Sequence, residues 1–78
     1  MSRKALESRS LVQRLSPIEL EVLRRIIAGE ALATIAIHLK LGEGEARQHR
    51  ESMMLKLGAK DTADAVRIGI YAAADDQS

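Results

Sequence analysis

A chain of 78 residues makes one domain with a small core, near the lower limit of what folds unaided. It has no Cys and one aromatic residue, Tyr71, so disulfide staples and thiolate metal sites are excluded and the core must be aliphatic. The net charge of +1 hides an asymmetry: residues 1–14 carry four cations against Glu7, residues 15–60 seven cations against six anions, and residues 61–78 Arg67 against four Asp. Such a gradient can orient a domain on a polyanion, although a solvated surface of mixed charge explains it as well.

The opening "MSRKALESRSLVQ" is charged throughout, and no apolar run approaches the ~20 residues that a membrane span needs. The expected compartment is the cytoplasm. Leu6, Leu11, Val12 and Leu15 keep no clean period, so residues 1–14 read as an arm or a short helix.

The clearest local signal is "LSPIELEVLRRIIAG". Ser16 is an N-cap, Pro17 suits the first helical position, and Glu19 three residues after the cap completes a capping box. Val22, Leu23, Ile26 and Ile27 recur at helical spacing until Gly29, which predicts a helix over 17–28. A second helix, about 32–40, puts Leu32, Ile35, Ala36 and Leu39 on one stripe. Ala31 cannot cap it, and Ile37 lies off the stripe. A third, about 43–57, follows Gly42 and ends at Gly58, with Glu45 placed to fold back on its first amides. Ala46, Met53 and Leu57 form its inward stripe, flanked by His49 and Arg50. The opposite side presents Gly44, Arg47, Gln48, Glu51 and Leu55. A fourth, about 62–73, starts from Asp61 with Asp64 three residues on, and residues 74–78 should fray. There is no repeat and no second domain. Short turns between short helices make an all-α fold, of which helix-turn-helix is the obvious member.

Chemistry for catalysis is thin. Glu19 and Asp64 are capping residues, His38 and His49 belong to different helices, and "GEGEA" lacks the strand and the Lys of a phosphate loop. No enzyme activity, metal or cofactor is expected. The third helix offers more. A helix fits the major groove, where Arg47 suits guanine O6 and N7, Gln48 suits adenine N6 and N7, and Glu51 can accept from cytosine N4. The same residue types furnish any solvated helix, so this face alone leaves recognition and plain exposure both open.

Taken together, residues Leu15 to Arg67 resemble the LuxR-type (GerE-like) helix-turn-helix domain of bacterial response regulators and quorum-sensing regulators. The pieces that carry the resemblance are "LSP", "IE" and "LEVL" with Gly29 after the helix, then Ile35–Ala36 and Leu39. Glu43, His49, "KLGA" (Lys56 to Ala59) and "ADAVR" (Ala63 to Arg67) follow in order. The resemblance implies a compact four-helix domain over 15–73, preceded here by the arm or extra helix. It implies a sequence-specific DNA-binding transcriptional regulator that places the third helix in the major groove of double-stranded DNA. Arg47, Gln48 and Glu51 would face base edges; Thr34, His49, Arg50 and Lys56 would face phosphates. The fourth helix would form a homodimer contact through Val66, Ile70 and Tyr71, although Ile70 and Tyr71 could equally cover the N-terminal arm.

The departures from the family pattern cluster where phosphate would be held. Ala31, Leu32 and Ala33 replace a polar cap and its polar followers, Ile37 and His38 stand at frequently basic positions, and Leu55 stands where a basic residue is common. DNA affinity should therefore be weak for a monomer and shallow in salt. The alternative is a stand-alone helix-turn-helix protein that binds another regulator or RNA polymerase through Leu32, Ala33, Ile37 and Leu55. These 78 residues leave no room for a receiver or ligand-sensing domain.

Overall fold

Capping chemistry written into the sequence divides the chain into helices. The computed structural model describes residues 3–74 and has five: α1 (Arg3–Val12), α2 (Pro17–Ile27), α3 (Leu32–Leu39), α4 (Glu43–Leu57) and α5 (Thr62–Ala74). The N-terminal segment is thus a helix. Of the tail expected to fray, all but Ala74 lies outside the described residues.

At the start of α2, Glu19 N–H donates to Ser16 Oγ (3.1 Å) while Ser16 N–H donates to Glu19 Oε1 (2.8 Å), a closed capping box. Glu45 does half of this for α4, where Gly42 N–H donates to Glu45 Oε1 (3.1 Å) and glycine has no side chain to reciprocate. Asp61 Oδ1 accepts from Asp64 N–H (2.8 Å) at α5, and Asp64 reaches one residue further back, to Lys60 N–H (3.1 Å). The Lys60 N–H and the Arg67 guanidinium beside it hold the Asp64 carboxyl below its ordinary range. α3 begins at Ala31 with no side-chain cap.

Three helices end in the same way. Gly29 (φ 92°), Lys40 (φ 57°) and Gly58 (φ 65°) are left-handed, and at each end two crossed hydrogen bonds recover the last carbonyls. Behind α2 these are Gly29 N–H to Ile26 O and Glu30 N–H to Arg25 O, both 3.0 Å. Behind α3 they are Lys40 N–H to Ile37 O (3.2 Å) and Leu41 N–H to Ala36 O (2.9 Å). Two of these positions are glycine; the third is a lysine.

The core is aliphatic. Val22 and Leu23 of α2 meet Ile35 of α3, Met53 and Leu57 of α4 and Ala65 of α5, with Leu11, Val12, Leu15, Ile26, Leu39 and Ile68 packed around them. α1 lies mainly along α5, burying Ala5 and Ser8 and leaving Leu6 half exposed.

Besides Ser8, one charged group is buried among the described residues. Glu19 is 3% exposed, and besides its capping bonds its Oε1 accepts from Lys56 Nζ at 2.7 Å, joining the start of α2 to the end of α4. Burial pushes its carboxyl up, but hydrogen bonds from Lys56, Ser52 and the Ser16 backbone outweigh that and hold it down at about 2, against 4.5 when free. A depressed carboxyl stabilises the fold fully above the unfolded value and loses that contribution as pH falls through the folded one. Glu19→Gln should therefore cost on the order of 2–3 kcal/mol at neutral pH. The gap from the parent chain should close as pH drops from about 4.5 towards 2. Urea unfolding of both chains across that window checks it; a gap independent of pH would mean that the carboxylate does not hold the helices together.

Candidate nucleic-acid interface

The candidate interface is formed by α3, the turn Lys40–Gly42 and α4. Ile35 and Ala36 on α3 and Ala46, Met53 and Leu57 on α4 are all buried, which fixes the inner faces of both helices and turns the other faces out. The turn is set by Lys40, whose left-handed backbone reverses the chain in the space of three residues before Gly42 opens α4.

On the outer side of α4, Arg47, Gln48 and Glu51 are exposed and share a face with Gly44 and with Leu55, which is 83% exposed. Arg47 NH2 lies 3.8 Å from Glu43 Oε1 one turn earlier, with both side chains open to solvent (60% and 78%). An ion pair that exposed contributes under about 1 kcal/mol and releases its arginine readily. No other described residue engages Gln48 or Glu51.

The four residues expected near phosphate are placed unequally. Thr34 is exposed on α3. His49 is half-buried beside the inner stripe of α4, and so is Arg50, whose NH2 donates to Thr62 Oγ1 at 2.7 Å and links α4 to the start of α5. Lys56 is drawn inward by Glu19, so its ammonium joins helices rather than facing solvent freely. Lys40, exposed in the turn itself, was not singled out by sequence reasoning. The signal was there: a basic residue two positions before the cap of α4.

His38 faces a different task. Its Nδ1 lies 3.0 Å from Glu30 Oε1 and 2.9 Å from Arg25 NH1, while Arg25 also binds Glu21 (2.9 Å) and Glu30 (3.3 Å). One ring nitrogen serves one of these partners at a time, donating to Glu30 when it carries a proton and accepting from Arg25 when it does not. The side chain thus ties α3 to Arg25 of α2 or to Glu30 in the turn between the two helices. Ile37 beside it is 75% exposed.

The residues expected at a dimer contact also divide. Ile70 is 55% exposed on α5 and Val66 is half-buried. Tyr71 is half-buried, with Lys4 Nζ of α1 lying 5.6 Å from its ring centroid, so α1 already supplies part of its cover. Among the described residues no three His, Cys, Asp or Glu come together as metal ligands, and no helix is long and apolar enough to cross a membrane.

Compared with known proteins, residues 13–69 match the family of bacterial regulatory proteins named luxR, a span of well over half the chain that includes all of α2, α3 and α4. No curated protein and no solved structure matches the chain.

Because Lys40 carries a Cβ in a left-handed backbone, it strains the turn that sets the angle between α3 and α4. Lys40→Gly should raise the unfolding free energy by up to about 1 kcal/mol, whereas Gly29→Ala, at φ 92°, should lower it by about as much. Chemical denaturation of both variants measures this; a destabilised Lys40→Gly would show that the lysine side chain contributes packing that outweighs the strain.

Proposed function

The chain belongs to the luxR family of bacterial regulatory proteins, which are DNA-binding helix-turn-helix transcription regulators. On that premise we propose that it is a sequence-specific regulator that inserts α4 into the major groove of double-stranded DNA as a homodimer. The observation that carries this reading is the outer face of α4: exposed, polar, free of covering elements and within the span that matches the family. Arg47 would bind guanine, Gln48 adenine and Glu51 the amino group of cytosine. Thr34, His49 and Arg50 would face the backbone, with Lys40 joining from the turn. Lys56 is left out because Glu19 holds it.

The electrostatics favour weak backbone binding. Glu43, Glu45 and Glu51 are exposed at or near the reading face, and few unpaired cations stand beside them. Since log K falls by about 0.9 per neutralised phosphate for each decade of salt, a slope of only about −2 to −3 per subunit is expected. Titrating genomic DNA fragments against salt tests the reading. Arg47→Ala and Gln48→Ala should each weaken the preferred site by about 1–3 kcal/mol and leave unrelated DNA nearly unchanged. Sequence-blind binding of equal strength by all three chains would sink it.

Dimerisation is proposed through α5, with Ile70 at the centre because it is the large apolar side chain that α1 leaves open. A second reading, that the chain seats on another regulator or on RNA polymerase, draws on the exposure of Ile37 and Leu55 at positions where basic residues would help DNA binding. Sedimentation equilibrium separates the two. The parent chain should dimerise and shift DNA unaided, and Ile70→Glu should be monomeric, equally helical and weaker on DNA. A parent chain that stays monomeric and leaves DNA unshifted would favour the second reading.

A further inference from the structure

One side-chain cluster that the DNA-binding reading does not use lies where α2, the turn after it and α3 meet. Arg25 of α2 donates from Nε to Glu21 Oε2 (2.9 Å) and from NH1 to both oxygens of Glu30 (3.3 Å). His38 of α3 brings one ring nitrogen, Nδ1, to 2.9 Å from Arg25 NH1 and 3.0 Å from Glu30 Oε1. These two approaches place opposite demands on the same atom. A guanidinium only donates, so it needs the bare lone pair of Nδ1; a carboxylate only accepts, so it needs Nδ1–H. Both contacts are short enough for a hydrogen bond, and only one can be a hydrogen bond at a time.

The surroundings let a proton from solvent make the choice. The His38 side chain is 50% exposed, so water reaches the ring, whereas Arg25 and Glu30, at 28% and 26%, are less fully screened. With Nδ1 bare, Arg25 NH1 gives one hydrogen to the ring and the other to Glu30, and all three side chains are satisfied. With Nδ1 protonated, Glu30 Oε1 accepts a charge-assisted bond from the imidazolium. The guanidinium then loses the ring as an acceptor and faces a second cation, but it keeps Glu21 and Glu30. Neither state strands a polar group, so the exchange costs little. The groups that bear on the ring are Arg25 from α2, with Glu21 behind it, and Glu30 from the turn. Among the described residues, α4, also packed on α3, sends no charged group into hydrogen-bond or ion-pair contact with it.

We propose that His38 is a proton-operated latch that changes what α3 is tied to: Arg25 of α2 while the ring is neutral, Glu30 of the turn once it is charged. Imidazole is the side chain whose charge changes within about pH 5–8, which suits it to such a device. α3 is one of the helices proposed to face DNA, but the latch is a property of the free chain and stands whether or not that reading does.

The test is an NMR titration of the full isotope-labelled chain from about pH 8 to about pH 5.5, across the range in which imidazole changes charge. It reads the ring nitrogens of His38, told from those of His49 by comparison with His38→Asn, and the guanidinium of Arg25. At the upper end the ring should be the Nε2–H tautomer, with Nδ1 bare. As pH falls, the Nδ1 and Arg25 signals should move together with one midpoint, and the amides of α3 should follow. In His38→Asn the Arg25 signals should stay still over the same range. Arg25→Met should turn the neutral ring to the Nδ1–H tautomer, because Glu30 alone then claims that atom. A neutral ring that already carries Nδ1–H in the parent chain, or Arg25 signals that ignore the ring, would overturn the proposal. So would an unchanged tautomer in Arg25→Met, since the approach of Arg25 would then be mere proximity. The first two outcomes are read on the parent chain and do not depend on either variant folding.

Discussion

The position of α4 depends on one carboxylate. Glu19 closes the capping box that begins α2 and, with the same oxygen, accepts from Lys56 in the last turn of α4. Without the bonds from Lys56 and Ser52 to Glu19, α4 would be held to α2 chiefly by aliphatic side chains, and aliphatic contacts define distance better than they define rotation about a helix axis. Rotation is what matters for a reading helix, since a small turn about its axis would carry Arg47 and Gln48 off the outward side. Burying a carboxylate is costly, and here three donors offset the cost while the polar group gives the interface a definite register. A short domain with no cystine and almost no aromatic packing has few other means of achieving this.

Much of the fold was legible because helix ends are local chemistry. Ser16 with Pro17 and Glu19, the glycines at 29, 42 and 58, and Asp61 with Asp64 are each read from adjacent residues, and the caps observed use them. What was not legible depended on neighbours far along the chain. α1 gave no clean period because its most buried residues are Ala5 and Ser8: small side chains let it lie close to α5, while Leu6 stays outside and Leu11 is half-buried. Lys40 looked like the last helical residue, and only the closed turn reveals its left-handed backbone. Lys56 looked like a cation available to phosphate, and nothing within a few residues of it announces the carboxylate 37 positions earlier. For the exposure of Arg47, Gln48 and Glu51 the sequence was a better guide, because exposure on a helix follows from period once the buried stripe is known.

The same carboxylates that make the helices stable work against a polyanion. Glu43 and Glu45 sit in the first turn of α4, where the helix dipole and the Gly42 amide welcome negative charge. In a groove-binding helix that turn is also where phosphate would approach. Glu21 and Glu30 likewise engage Arg25, a cation that could otherwise release counterions from DNA. Local stability and backbone affinity therefore compete for the same charges. On the proposed reading, discrimination among sequences would rest on the few side chains set to face base edges, since phosphate contacts hold a protein on DNA without telling one sequence from another.

Exposed apolar residues are common on small domains and by themselves mean little. Ile18, Ile37, Leu55 and Ile70 lie on four different helices, and a domain this small has too little interior to hide them all. What separates them is the company each keeps. Ile37 and Leu55 stand on α3 and α4, the helices proposed to face DNA, where an aliphatic side chain would forfeit a phosphate contact. Ile70 projects from α5, a helix whose opposite side is already covered by α1. Had α1 been absent, Tyr71 and the α5 surface beneath Ala5 and Ser8 would also lie open, and that helix would offer a broad sticky face with no preferred register. By covering one side, α1 leaves a narrower strip and fixes which edge of α5 is available. The short N-terminal helix, outside the four-helix pattern that the sequence resembles, thus acts on the rest of the molecule chiefly by restricting how α5 can be approached.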